Sequence, residues 1–257
     1  MIATLLLALA SPLPSISDNP VDVGTELRPM PEALEVDFAL SALPPAMRSL
    51  ATVYTLDVNS GYRVARRGTS GVECIVERTS WESGELRDDV FIPICFDDEG
   101  SRTLLKAKKD TAELRANGLE GEAIKKQIEE GFARGLYTAP QRPGVSYMLA
   151  PVMRTAGPPD LAVKTMVMPH VMFYAPGLSN ADIGALPNLS DRRSLGYPFV
   201  DRQGHGIQTF IIQMIGSAET EQILKEEMGL IRDLCAFSSV LCVAESRADP
   251  TSSQGAN

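Results

Sequence analysis

Across residues 31–43 the apolar positions Leu34, Phe38 and Ala42 recur at helical spacing until Pro44-Pro45 ends the run. The pattern then changes to that of strands. Residues 52–57, 62–66, 72–77 and 90–96 are short runs rich in β-branched and aromatic side chains. Turn signals at Asn59-Ser60-Gly61 and Gly68-Thr69-Ser70-Gly71 separate the first three. Short strands joined by short turns predict an antiparallel meander. Pro93 has no N–H to give a ladder, so the fourth run is expected at an edge or with a bulge. Helical spacing returns at 102–116, a charged run stopped by Asn117-Gly118. A second helix is predicted over about 120–134, with Ile124, Ile128, Phe132 and Leu136 in one stripe.

From 139 to 206 the chain is rich in Pro and Gly, which predicts long loops folded over the sheet. Two apolar runs interrupt it, at 145–150 and 163–174. Residues 207–215 read as a buried strand, and Ser217 opens a helix with Leu224, Met228 and Ile231 on one face. Residues 240–243 are expected as a last short strand. There is no internal repeat. The expected fold class is α+β: an antiparallel sheet packed by several helices, with long Pro/Gly-rich loops.

The N-terminus changes the picture. Residues 2–10 are apolar, too short to span a bilayer, and end in Ala8-Leu9-Ala10, a small-x-small pattern. A Pro/Ser-rich stretch follows. The expected organisation is a signal peptide at 1–10, a flexible linker at 11–30, one domain at 31–248 and a polar tail at 249–257. The first basic residue is Arg28, so the usual positive start is missing. Export, to a periplasm or outside the cell, agrees with the four cysteines. Four cysteines allow three pairings; the nearest-neighbour one, Cys74 with Cys95 and Cys235 with Cys242, is expected. At 257 residues with 44% hydrophobic positions, the chain can build a core of its own.

The net charge of −9 opposes binding to phosphate backbones, which sets aside a helix-turn-helix reading of the two central helices. No apolar run is long enough for a transmembrane segment. There is no G-x-S-x-G, H-E-x-x-H, P-loop or C-x-x-C motif.

Candidate chemistry therefore rests on scattered residues. The chain has two histidines, His170 in a Met/Pro-rich run and His205 between glycines. Nine acids crowd residues 73–100, densest at Asp97-Asp98-Glu99-Gly100, where an oxygen-rich calcium loop is outweighed by a solvated acidic turn. A divalent metal held by His170, His205 and the carboxylates of Asp97 or Glu99 is the candidate site, with Asp201 near His205 in sequence. Met166, Met168, His170 and Met172 fall on one face of an extended chain, a soft donor set suited to cuprous ion, although methionine stripes more often fill cores.

The segments Gly71-Val-Glu-Cys-Ile-Val-Glu-Arg78, Pro93-Ile-Cys-Phe-Asp-Asp-Glu-Gly100, Arg142-Pro-Gly-Val-Ser-Tyr-Met-Leu149 and Pro169-His-Val-Met-Phe-Tyr-Ala-Pro176 together resemble a group of exported bacterial proteins with no assigned activity. The resemblance spans about residues 50–215, implies secretion and a single domain, and carries over no catalytic residue. The functional expectation is a non-catalytic ligand-binding or structural protein of the cell envelope, its partner a small ligand or an envelope component. The alternative is a metal-dependent hydrolase.

Overall fold

The computed structural model describes residues 23–191 and 193–243. The expected signal segment, the first part of the linker and the polar tail lie outside them. The helices are α1 (Glu32–Ser41), α2 (Pro45–Arg48), α3 (Asp98–Arg102), α4 (Leu104–Ala116), α5 (Gly121–Ala133), α6 (Ser217–Glu226) and α7 (Met228–Phe237). The strands begin with β1 (Thr52–Asp57), β2 (Gly61–Arg66), β3 (Glu73–Glu77), β4 (Ile92–Phe96) and β5 (Val145–Met148). They continue with β6 (Met153–Ala156), β7 (Val163–Met166), β8 (His170–Tyr174), β9 (Phe199–Asp201) and β10 (Phe210–Met214).

Eight strands form one sheet in the order β2-β1-β3-β4-β5-β8-β10-β9, and β6 and β7 form a separate hairpin. All neighbours are antiparallel except β1 and β3. The class is α+β, but the first strands are not a pure meander: β3 returns beside β1 in parallel, through Thr52–Glu73 and Val53–Cys74. Nor is β4 an edge. It lies between β3 and β5, and it tolerates Pro93 because its β5 ladder covers only Cys95 and Phe96. Pro93 sits beyond that ladder's end, where its missing N–H breaks no sheet bond.

The Pro/Gly-rich stretch also departs from expectation, since it supplies β5 to β9. The helix after Ser217 breaks at Glu227 into α6 and α7, leaving Met228 half exposed. Residues 239–241 form a single 3₁₀ turn in place of a strand.

Alternation along the central strands divides the interior in two. Cys74, Val76 and Cys95 point to one face, where they pack with Phe38, Ala39 and Leu43 around α1 and with Leu234 of α7. Ile75, Ile94 and Phe96 point to the other face, against Leu104 and Leu105 of α4 and Met153 of β6. Burial on both sides explains the nearly continuous apolar sequence of β3 and β4. A third cluster joins Trp81 to Ile124 and Ile128 of α5. Both expected disulfides are present, Cys74–Cys95 between directly opposed residues of β3 and β4, and Cys235–Cys242 at the end of α7.

Glu35 of α1 is an acid inside this core, 2% exposed, where its Oε1 accepts the Leu56 N–H at 2.8 Å. Burial raises its pKa from 4.5 to about 7, against the pull of the Leu56 hydrogen bond and of Arg78 and Arg63. The folded state therefore holds the proton more tightly than the unfolded state. Stability is full below 4.5 and falls as pH rises through about 7. Glu35→Gln keeps the acceptor and removes the charge. It is expected to stabilise the protein by about 2–3 kcal/mol at pH 8 and by almost nothing at pH 4. Urea unfolding at both pH values checks this; an equal effect at the two would show that Glu35 ionises freely in the fold.

Candidate functional site

A cavity of about 300 Å3 lies between the second face of the sheet and the elements packed on it. Its floor is Ile94 of β4, Met148 of β5, His170 and Met172 of β8, and Ile212 and Met214 of β10. Its other side is Leu104 and Lys108 of α4, Met153 of β6 and Met168, with the exposed Leu161 and Leu189 at the rim. Five of the chain's ten methionines line it.

One end of the cavity is walled by charge. Lys108 Nζ lies 2.7 Å from Glu77 Oε1 and 3.6 Å from Glu82 Oε1. Glu82 also accepts from Ser80 Oγ at 2.6 Å and from Gln208 Nε2 at 2.8 Å, and pairs with Arg202 Nη1 at 3.3 Å. Arg202 donates in turn to Gln208 Oε1. Although burial opposes it, Lys108 is held above its ordinary pKa by Glu77 and Glu82. Likewise Lys108 and Arg202 outweigh burial and hold Glu82 well below the usual carboxylate range. Lys108 and Arg202 are matched by Glu77 and Glu82, and Asp201, 3.8 Å from Arg202 Nε, adds a third carboxylate to the lining.

Local sequence does not place these groups together. Glu77 ends β3, and Glu82 lies in the single turn Trp81–Ser83 that follows. Arg202 and Gln208 sit in the β9–β10 connection, at the far edge of the sheet. The sheet must curl for that edge to reach Glu82. Arg202 has φ +51°, a conformation that side-chain-bearing residues seldom adopt, and its two acceptors hold it there.

Met168, Met172 and Asp201 line the cavity, and of the two histidines and the Asp97 and Glu99 carboxylates His170 alone does. It is 5% exposed, and burial lowers its pKa below 6.5, so the ring is neutral at physiological pH. Nδ1 lies 2.8 Å from the Met168 carbonyl, an acceptor only, so Nδ1 carries the proton and Nε2 offers a lone pair. Among the described residues no hydrogen bond reaches Nε2.

The other candidates are employed elsewhere. Asp97 caps α3, accepting Gly100 N–H at 2.9 Å and the Tyr174 hydroxyl at 3.1 Å on Oδ1, and Val145 N–H at 2.9 Å on Oδ2. Glu99 accepts Gln141 N–H at 2.6 Å and Arg142 Nε at 3.1 Å, which lowers its pKa. His205 is exposed, and its Nδ1 caps a turn by accepting from Gln208 N–H at 3.0 Å and Ile207 N–H at 3.2 Å. His170 opens β8 opposite Met214, while His205 lies past the opposite, Tyr174–Phe210 end. At a strand's rise the length of β8 is about 13 Å, against the 3–4 Å or so between donors of a shared metal. The fold does not bring His170, His205, Asp97 and Glu99 to one point. Among the described residues no group of three His, Cys, Asp or Glu side chains has metal-binding reach.

Sequence reasoning missed Lys108, Glu77, Glu82, Arg202 and Gln208. The available signal was weak: Lys108 falls near the buried Leu104 and Leu105 stripe of α4, an unusual place for a charge. A second hollow, beside Ile183, Leu186 and Tyr197, is open to solvent and gathers no charged group among the described residues. No protein-family model, curated protein or solved structure matches the chain.

Proposed function

We propose that this is a non-catalytic binding protein that holds a small, largely apolar molecule in the cavity. The observation that carries the reading is the lining itself: an apolar chamber at the lower end of the size range of ligand pockets, walled at one end by fully paired polar groups. The molecule's apolar body meets the methionines, which adapt to irregular shapes. Its polar end meets the Lys108–Glu82–Arg202 wall. Export to a periplasm or the medium is part of the proposal, supported by the two disulfides. No described helix is long and apolar enough to cross a membrane. The hydrolase alternative needs both histidines in one shell, and the length of β8 separates them.

Saturation with a neutral, polarity-sensitive naphthylamine fluorophore tests the proposal. Binding is expected to be saturable at one molecule per chain. Ile212→Trp, which fills the cavity beside Met172, is expected to weaken it at least tenfold. Ile212→Leu, close in volume, leaves it nearly unchanged. Unsaturable fluorescence, or equal binding by Ile212→Trp and the parent, would overturn the assignment.

A further inference from the structure

We propose that Met148, His170 and Met214, with Met172 beside them, form a binding site for a cuprous ion on the floor of the cavity. The inference rests on the cavity being a binding site and names a ligand by the chemistry of its floor.

Sheet register makes the first argument. His170 of β8 stands directly opposite Met148 of β5 on one side and Met214 of β10 on the other. Directly paired residues project to the same face with Cβ atoms about 4.5–5.5 Å apart. Thioether, imidazole and thioether therefore stand side by side across three strands. Met172, two residues along β8, projects to the same face. Met153 and Met168 face the same space.

The imidazole supplies the second argument. A metal-bound histidine characteristically donates its other ring N–H to a backbone carbonyl or carboxylate, which sets tautomer and ring orientation before the metal arrives. His170 has that arrangement: Nδ1 is committed to the Met168 carbonyl, and Nε2 has no partner among the described residues, on a side chain that is 5% exposed. Nε2 is left to the cavity that His170 lines, where its lone pair is available to a metal ion.

Donor chemistry then selects the ion. Thioethers are soft and uncharged, and they favour cuprous ion over zinc or hard divalent cations. No thiolate competes, because all four cysteines are in disulfides. A monovalent ion also costs less to bury among neutral ligands than a divalent one. Asp201, whose charge acts on His170 and which lines the same cavity, offsets that charge. Spacing along the sequence places Met166, Met168, His170 and Met172 on one line; the tertiary fold instead groups His170 with Met148 and Met214.

The test is an anaerobic titration of the whole protein against the cuprous–bicinchoninate complex. The parent is expected to withdraw one cuprous ion per chain. Met148→Leu/Met214→Leu removes both sulfurs at nearly constant volume and is expected to withdraw copper at least tenfold less tightly, and His170→Gln likewise. X-ray absorption of the loaded parent should show sulfur and imidazole nitrogen around copper. The Leu/Leu variant is expected to keep the parent's urea-unfolding midpoint and circular dichroism, which shows its fold intact. A parent that leaves bicinchoninate its copper, or a Leu/Leu variant that binds copper as tightly as the parent, overturns the site. Fluorophore binding without copper defeats this inference alone; absence of both defeats the cavity reading as well.

Discussion

Lys108→Met is expected to destabilise the protein by about 3–5 kcal/mol, the range for removing one partner from a buried ion pair. Lys108 is 12% exposed, and the Glu77 carboxylate it holds at 2.7 Å is 4% exposed. Without the ammonium, Glu77 keeps its burial and loses its counter-ion. Glu82 retains Arg202, Gln208 and Ser80, so most of the loss falls on Glu77. For a chain of this size the change corresponds to a fall in Tm of roughly 10 °C or more. Glu77→Gln/Lys108→Met removes both charges together and is expected to recover most of the loss, because the cost lies in the unpaired charge. Urea unfolding of the two variants measures the difference. A loss below about 1 kcal/mol for Lys108→Met would mean that the cluster is solvated, as at a surface, and would remove the polar wall from the binding proposal.

Replacing Cys74 and Cys95 together by alanine is expected to cost about 3 kcal/mol, the chain-entropy value for a loop of this length. The bond spans 21 residues, against 7 for Cys235–Cys242, whose loss is expected to cost about 2 kcal/mol. Access separates the bonds as well. Cys74 and Cys95 are fully buried beneath α1, with Cys95 Sγ 3.4 Å from the Ala39 carbonyl, while Cys242 is exposed. Rising reductant should therefore open Cys235–Cys242 first, with Cys74–Cys95 opening only as the sheet unfolds. Thiol labelling followed by peptide mass spectrometry reads the order. Labelling of Cys74 before Cys242 in native protein would contradict the placement of β3 and β4 at the centre of the core.

The local features of this chain were legible before folding because they depend on neighbours in sequence. Phe38 and Leu34 follow a helical period, and α1 formed where that period runs. Alternation and turn residues marked β1 to β4, and Ile124 and Ile128 marked the buried side of α5. The expected nearest-neighbour disulfides, one of three pairings open from sequence, formed because Cys74 and Cys95 lie on strands that pair with each other. Pro93 misled because proline's effect depends on whether a partner ladder reaches it, and that is a matter of neighbouring strands. The run at 139–206 misled because its prolines and glycines hid strands of three to five residues, too short to show a period. His170 was legible as a residue of interest but not its companions. His205 shares its chemistry and lies beyond the far end of β8, while Met148 and Met214 become its neighbours only through strand pairing.

By itself, then, the sequence determined the helices and strands with a clear period and the α+β class, and it left three cysteine pairings open, among which the fold chose. Tertiary structure decided the sheet order, the parallel return of β3 beside β1, and the cavity with its ion cluster. Lys108 meets Glu77, and Gln208 meets Glu82, only because α4 and the curled far edge of the sheet close over the same face. The physical reason is that periodicity and turn chemistry act over a few residues. The position of a buried charge or a lone imidazole is instead set by which distant surfaces must exclude water together.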